Sequence, residues 1–206
     1  AFDELLRVQL VLVMRKRALE RESRGIRHEV DGELVHRLRA ALPYELTGAQ
    51  QRAIAEIERD LAGPHPMHRL LQGDVGAGKT LVAVSAMLTA VQGGHQGALM
   101  APTEVLAEQH AAGVRRLLQG VTVPDEGSLF GDRPLRVELL TNRIAGNERR
   151  EVLAGLADGS VDIAIGTHAL IQEGVEFHSL GVVVVDEQHR FGVEQRAALK
   201  IGRAHV

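Results

Sequence analysis

The sequence predicts an α/β protein in which a parallel β-sheet is covered by helices on both faces. From about residue 44 onwards, short apolar segments alternate with longer amphipathic segments of helical period. Segments such as residues 98–101 and 182–185, the latter four consecutive valines, are apolar on both faces. With 206 residues, the chain is long enough for one such domain and a short additional segment.

The composition excludes several classes of protein. The chain is 45% hydrophobic and 25% charged, which is typical of a globular protein. It has no cysteine, which rules out a disulfide scaffold, a thiol nucleophile and a Cys-ligated zinc site. Aromatic residues make up 2%, which argues against a module that binds single strands by base stacking. The net charge of −3 does not by itself require nucleic acid as a partner.

The N-terminal region is predicted to be a helical lead-in. Helical spacing covers residues 2–22 and a shorter stretch, 33–42, which ends at Pro43. We therefore divide the chain into a lead-in or linker, residues 1–43, and a principal domain, residues 44–206. The apolar run at residues 5–13 is too short to span a bilayer and lacks a signal-peptide cleavage site, so we expect a cytoplasmic protein without a membrane segment. Both ends look cut, and we expect the chain to be a piece of a longer protein.

The principal domain is predicted to alternate strands and helices. Strands are expected at residues 68–72, 98–101, 136–140, 161–165 and 182–185. Helices are expected at residues 47–61, 79–91, 103–118, 147–157 and 193–200, with a helical turn at 168–171. Residues 120–134 contain two prolines and three glycines, and are therefore predicted to be a loop.

A glycine-rich segment after the first predicted strand matches the phosphate-loop pattern G-x-x-x-x-G-K-[ST] in full. Its residues are Gly73, Asp74, Val75, Gly76, Ala77, Gly78, Lys79 and Thr80. The glycines allow backbone amides to converge on phosphate oxygens at the start of a helix. Lys79 would reach the β- and γ-phosphates of ATP, and Thr80 would hold Mg²⁺. The alternative is a chance glycine-rich turn, but the strand before and the helix after favour nucleotide binding.

Two carboxylates follow the valine strand. Asp186 would hold the Mg²⁺ of the nucleotide, and Glu187 would take a proton from the attacking water, so that Lys79, Asp186 and Glu187 form the predicted catalytic set. The alternative, an acid pair that caps the next turn, loses weight because the chain also contains a complete phosphate loop. About a hundred residues separate loop and acids. This spacing suits a RecA-like P-loop NTPase domain better than a small kinase or GTPase.

Four motifs together resemble those of superfamily 2 helicases. They are a DExH box that begins with Asp186, Glu187, Gln188 and His189, and the segments 70–76, 101–110 and 166–172. Within that superfamily the sequence strongly resembles the RecG family of DNA helicases, from about residue 43 to the end. The translocase of transcription-repair coupling factor is the nearest alternative, and a stand-alone nucleotide-binding regulatory module is the alternative outside the enzyme class.

The resemblance implies an ATP-dependent DNA helicase that remodels branched DNA, such as stalled forks and Holliday junctions, in recombination and repair. It implies that this chain is the first of two RecA-like motor domains, preceded by a wedge domain for branched DNA. The sequence contains no Thr-Ala-Thr motif, and we expect the second motor domain with its arginine finger to be missing. The isolated chain is therefore expected to be nearly inactive in ATP hydrolysis.

Gln50 and Tyr44 are candidates for binding adenine. A glutamine amide can donate and accept at once, which suits the edge of adenine, and Tyr44 could stack on the base. Thr47 and Gln50 also have the spacing of a capping box, in which both would only stabilise a helix start. Spacing alone favours the cap, whereas the resemblance favours adenine.

Two further loops are candidates for contacting DNA. Each follows a predicted strand and opens a helix, so its threonine could instead be a helix cap. The residues are Pro102, Thr103, Glu104, Thr167 and His168. The resemblance implies that these loops touch the DNA backbone, and that Gln188 and His189 couple the ATP site to the second motor domain in cis.

Overall fold

A computed structural model describes residues 25–124 and 131–187 of the chain. The predicted helices at 2–22 and 193–200 lie outside these ranges. The described helices are α1 (Glu33–Ala41), α2 (Gly48–Leu61), α3 (Lys79–Gln92), α4 (Glu104–Leu117) and α5 (Gly146–Asp158). The described strands are β1 (Gln96–Met100), β2 (Thr122–Val123), β3 (Arg133–Pro134), β4 (Val137–Leu140), β5 (Ile163–Gly166) and β6 (Leu180–Val185).

The principal sheet has four parallel strands in the order β4-β5-β1-β6. In its register Leu99 of β1 lies opposite Ile165 on one side and Val184 on the other. Parallel neighbours need crossover connections, which α4, α5 and the 3₁₀ turn His168–Ile171 help to supply. The predicted α/β fold with a parallel sheet is therefore confirmed.

Helices cover both faces of the sheet because its side chains alternate between them. Leu99, Ile165 and Val182 point to the face on which α3 and α4 pack. Met100 and Ala164 point to the opposite face, where they pack with Val152 and Leu156 of α5. Helix α3 is buried from Leu81 to Val91, since it lies between the sheet and helices α1 and α2. This burial explains why α3 is apolar around its whole circumference.

The predicted strand at residues 68–72 is wrong. Residues 66–74 form no regular secondary structure, and the Leu70 side chain is 78% exposed. A strand forms only beside another strand, and β6 is the outermost strand of the described sheet on its side. The apolar residues at 68–72 indicate a strand from composition alone, but no described strand pairs with them.

The predicted loop at residues 120–134 contains a short antiparallel pair, because β2 and β3 bond to each other. Its second strand is held to the body of the domain by the buried carboxylate of Asp162, which pairs with both terminal nitrogens of Arg133 at 2.7 and 2.8 Å. Asp162 also accepts a hydrogen bond from the backbone amide of Arg136. Strands of two residues are too short to produce an alternating pattern, and an ion pair between residues 29 positions apart leaves no local signal.

The described part of the lead-in packs into the core of the principal domain. Leu34, Val35 and Leu38 of α1 are buried in the same cluster as α2 and α3. The backbone amide of Leu34 donates to the Gln92 side chain at the end of α3, at 3.1 Å. Residues on either side of position 43 thus share one hydrophobic core. The division into two units at this position stays a prediction.

A pair of histidines also joins the lead-in to the sheet. The rings of His28 and His95 meet edge to face, with centroids 5.3 Å apart. His95 is further bonded through Nδ1 to the Ser179 hydroxyl at 2.7 Å. Burial lowers the pKa of both imidazoles, and His95 lowers the pKa of His28 further by charge repulsion. The folded chain therefore favours the neutral form of both rings.

Candidate nucleotide-binding and catalytic site

The predicted phosphate loop lies directly before α3. Gly76 and Gly78 have φ angles of 83° and 78°, in the left-handed region that glycine adopts without strain. A hydrogen bond from the amide of Ala77 to the carbonyl of Asp74, 3.2 Å long, closes the turn. Helix α3 then begins at Lys79, so its unpaired N-terminal amides and its dipole face the loop. This geometry suits an anion such as the phosphates of a nucleotide.

Lys79 folds back over the loop that precedes it. Its Nζ donates hydrogen bonds to the carbonyls of Gly73 and Asp74, at 2.7 and 2.8 Å. The ammonium group is therefore held at the loop and not extended into solvent. Thr80, the next residue, is exposed in the first turn of α3. The predicted phosphate ligand Lys79 and the predicted metal ligand Thr80 thus both lie at the junction of the loop and α3.

The capping box predicted at Thr47 and Gln50 is formed. The Thr47 hydroxyl accepts from the Gln50 amide at 3.3 Å, and the Gln50 side chain accepts from the Thr47 amide at 2.9 Å. The same side chain also donates through Nε2 to the carbonyl of Ala77 at 3.0 Å. Gln50 therefore lies against the phosphate loop as well as at the start of α2. Its binding to adenine stays a prediction.

Tyr44 is 56% exposed and lines a surface cavity of about 590 Å³. The other lining residues come from the segment between α1 and α2 and from the two helices beside it, namely Arg39, Leu42, Pro43, Glu45, Leu46 and Gln51. The cavity is therefore next to the helix that carries Gln50, which is consistent with stacking of a base on Tyr44.

The acid pair lies at the end of β6, at the same sheet edge as the start of α3. Helix α3 is connected to β1 by the short segment 93–95, so the strand runs back antiparallel to the helix, and β6 is parallel to β1. Helix α3 packs against β6, so the carboxyl end of β6 lies at the same end of the domain as the N-terminus of α3. A hydrogen bond from the amide of Asp186 to the carbonyl of Met100 at 2.8 Å anchors this end. Glu187 follows with φ 45°, a left-handed conformation that costs energy in a non-glycine residue.

His110 is a site residue that the sequence-based prediction missed. Its Nε2 lies 2.8 Å from Oδ2 of Asp186, and both side chains are partly buried. The sequence does contain one signal: His110 is adjacent to Ala111 and three residues after Ala107, on the buried side of α4. The contact joins residues 76 positions apart, which no local pattern could reveal.

The residues present fit a magnesium ion bound together with a nucleotide. Mg²⁺ prefers octahedral oxygen coordination, keeps several waters and is often held by one or two carboxylates plus substrate phosphates. Asp186 offers a partly exposed carboxylate at the edge where the phosphate loop lies. Within residues 25–124 and 131–187 no cluster of three or more His, Asp or Glu side chains could hold a metal alone. Thr80 and Asp186 would hold the ion, and phosphate oxygens and water would supply its other ligands.

The two predicted DNA-contact loops lie at this same edge of the sheet, after β1 and β5. Thr103 caps α4 by accepting from the Leu106 amide at 3.3 Å, and Thr167 accepts from the Ala169 amide at 3.4 Å. Thr167 is buried, whereas Thr103 and His168 are exposed. The capping alternative is therefore realised for both threonines. Contact with DNA stays a prediction for Pro102, Thr103, Glu104, Thr167 and His168.

A third loop, after β4, joins these two. Arg143 pairs with Glu104 at 2.6 Å and lies 3.8 Å from Glu108. Asn142 is hydrogen-bonded to His168 at 3.2 Å. The side chain of Arg143 is 68% exposed, so this loop adds a cation to a surface on which Glu104 is already paired. The predicted coupling residues Gln188 and His189 lie outside the described residues.

In the described parts of the chain, the helices are all too short or too polar to cross a bilayer.

Comparisons with known proteins identify the family of the chain. The DEAD/DEAH box helicase family matches residues 47–204, which is most of the chain. ATP-dependent DNA helicase RecG of Bacillus subtilis is 46% identical over 97% of this chain and 27% of its own length. RecG of Synechocystis is 49% identical over 96% of this chain and 22% of its own length.

A solved structure of RecG bound to a three-way DNA junction matches with a TM-score of 0.80 and 40% identity. The match covers 93% of this chain and 25% of that one. The chain thus spans about a quarter of the length of the curated relatives that it matches. These findings confirm the RecA-like fold and the resemblance to RecG that the motifs indicate. The chain belongs to the DEAD/DEAH box helicase family.

Proposed function

We propose that the chain is the first motor domain of an ATP-dependent DNA helicase that remodels branched DNA. The observation that carries the proposal is the meeting of a complete phosphate loop and an acid pair at one sheet edge, in a chain 46% identical to a RecG helicase. The similarity to RecG also favours this function over a transcription-repair translocase or a regulatory module. A cytoplasmic location follows from DNA as the substrate and is part of the proposal.

In the proposed reaction, the loop from Gly73 to Thr80 binds the phosphates of ATP. Lys79 exchanges its two carbonyl partners for oxygens of the β- and γ-phosphates, where its charge balances the charge that develops during transfer. Glu187 accepts the proton of the water that attacks the γ-phosphorus, and the bond to the bridging oxygen of ADP breaks. Asp186 and Thr80 would hold Mg²⁺, which would supply positive charge against the phosphates. Tyr44 and Gln50 hold the adenine.

In the same proposal, DNA lies along the three loops that follow β1, β4 and β5. Thr103 and His168 are exposed on the loops after β1 and β5, and Arg143, on the loop after β4, would exchange its partner Glu104 for a phosphate. Contacts of this kind to phosphates position a helicase without reading the base sequence. Branch specificity and the second motor domain in cis come from the resemblance to RecG, with Gln188 and His189 as the residues that couple the two motor domains.

The test is ATP hydrolysis by the full-length protein in the presence of a three-way junction, with linear duplex of equal length as control. We expect the junction to stimulate hydrolysis more strongly, and Lys79→Ala to abolish the stimulated rate. Equal stimulation by the two DNAs would contradict the branched-DNA assignment. An absence of DNA-stimulated hydrolysis in the parent protein would contradict the motor assignment itself.

A further inference from the structure

The carboxylate of Asp186 is held by a side chain to which the proposed reaction assigns no role. His110 approaches Oδ2 with its Nε2 at 2.8 Å, and its side chain is 20% exposed. A carboxylate can only accept hydrogen bonds, so Nε2 must carry the hydrogen in this contact. The backbone of Asp186 is fixed separately, by its bond to the Met100 carbonyl.

The sequence of α4 allows His110 to reach Asp186. Small side chains at Ala107 and Ala111 are fully buried and let the helix approach the sheet closely. His110 lies between them along the chain, and helical side chains tilt toward the N-terminus of their helix. That direction is toward the carboxyl edge of the sheet, where Asp186 follows β6. The His110 ring thus connects α4 to the residue that follows β6.

The contact changes what the carboxylate can do. With Oδ2 held by His110, the rotation of the carboxyl group is restricted, and among the described residues Oδ1 is left for another ligand. Without His110 the group would rotate about its side-chain bonds, and binding a metal would then require an additional ordering of that side chain. Groups that orient a metal ligand typically change metal affinity 10–100-fold when they are removed.

We propose that His110 is a positioning residue for Asp186, which it orients so that one carboxylate oxygen faces the magnesium of bound Mg·ATP. The inference rests on the proposed function and deepens it, because it assigns a role to a residue of α4 that neither the phosphate loop nor the acid pair requires.

The test is nucleotide affinity of the chain, measured by calorimetry with ATP in Mg²⁺ and again in EDTA. His110→Phe keeps a ring of similar size and removes the donor, whereas His110→Gln retains an N–H donor near the position of Nε2. We expect His110→Phe to lower affinity about tenfold in Mg²⁺ and to leave affinity in EDTA unchanged. His110→Gln should recover most of the loss. Gln109→Ala, an exposed change on the same helix, is the matched control and should have no effect.

Two outcomes would overturn the inference. A His110→Phe chain with full affinity in Mg²⁺ would show that Asp186 needs no orienting partner. An equal loss in Mg²⁺ and EDTA would show that the ring acts through packing alone. If His110→Phe fails to fold, as judged by thermal denaturation, His110→Leu takes its place in the same comparison. A parent chain that binds no nucleotide would instead contradict the proposed function, which keeps the two failures distinct.

Discussion

The side-chain amide of Gln50 donates to the carbonyl of Ala77 at 3.0 Å, and the same amide group accepts from the backbone of Thr47 at 2.9 Å. One side chain thus joins the start of α2 to the phosphate loop. An amide has two N–H donors and two lone pairs, so one of each remains after these contacts. Capping and adenine binding are therefore compatible roles for Gln50, where the spacing in the sequence presents them as alternatives.

Replacing Gly78 by alanine tests this junction. We expect Gly78→Ala to weaken ATP binding strongly, because a β-carbon there would overlap the Gln50 amide nitrogen and φ is 78°. The matched control is Gly94→Ala, which has a similar φ of 76° but open space around the β-carbon. It should cost about 1 kcal/mol of stability and leave ATP affinity unchanged. Calorimetric titration and urea unfolding measure the two effects, and equal ATP affinities for both variants would contradict the account.

Lys79 is the only side-chain cation in the loop, and Lys79→Ala should remove most of the phosphate-dependent affinity for ATP. The fold should persist, because the Lys79 ammonium bonds only to loop carbonyls among the described residues. Parent and variant are each titrated with ATP in Mg²⁺ and, separately, with adenosine. The difference between the two affinities measures the part of the binding that depends on the phosphates. Arg59→Ala, which removes an exposed cation late in α2, serves as the control and should bind ATP like the parent. An unchanged ATP affinity in Lys79→Ala would rule out the phosphate-loop assignment.

Changing each of the two acids to its amide should have a different effect on ATP binding and hydrolysis. Asp186→Asn should reduce the Mg²⁺-dependent part of ATP affinity, because it removes a metal-directed charge. Glu187→Gln should leave affinity largely intact and slow hydrolysis, because an amide cannot accept the proton of water. ATP affinity with and without Mg²⁺, and single-turnover hydrolysis by the full-length protein, measure the difference. Identical losses in both variants would mean that the pair acts as one joint metal site.

Acid should loosen the packing of the lead-in around His28 and His95. Burial lowers the pKa of both rings from the ordinary value of 6.5, so the unfolded chain binds protons more readily. Their contribution to stability is fully present above pH 6.5 and is lost as the pH falls through 6.5 toward the lower folded-state pKa values. Urea unfolding at about pH 7.5 and about pH 5.5 should show this loss, since histidine titrates in that range.

The control for the histidine effect is the double variant His28→Gln, His95→Gln, in which neither position titrates. Its stability should fall less between the two pH values than that of the parent. If parent and double variant lost the same stability on acidification, the histidine pair would not be its source.

Leu38→Ala should destabilise the domain by about 2–5 kcal/mol, as is usual for a fully buried leucine. Leu38 belongs to α1, within the predicted lead-in, and packs in the core that includes α2 and α3. The control is His36→Ala, an exposed change in the same helix, which should have an effect within about 0.5 kcal/mol. Urea unfolding measures both. A negligible effect of Leu38→Ala would indicate that α1 is a separable linker.

The sequence by itself determined the features that depend on residues close together along the chain. The glycine spacing of residues 73–80 is sufficient to predict a phosphate loop, since the required backbone angles and amide donors are set within eight consecutive residues. The helices from α1 to α5 were predictable to within a few residues, because period and capping residues act over a few positions. The consecutive valines of β6 likewise identified a strand followed by the acid pair. Only Val182 of the four is buried, because β6 is the outermost strand of the described sheet on its side.

Contacts between distant residues were decided only by the tertiary structure. The apolar pattern at residues 68–72 indicates side chains that avoid water. It does not indicate whether another strand lies beside them, which a β-strand needs. The Arg133–Asp162 pair and the His110–Asp186 contact join residues 29 and 76 positions apart, and no period or spacing links such positions. Sheet order brings each pair together at a different edge. Arg133 and Asp162 precede the neighbouring strands β4 and β5, at their amino ends, whereas Asp186 follows β6 at the carboxyl edge, where α4 begins after β1.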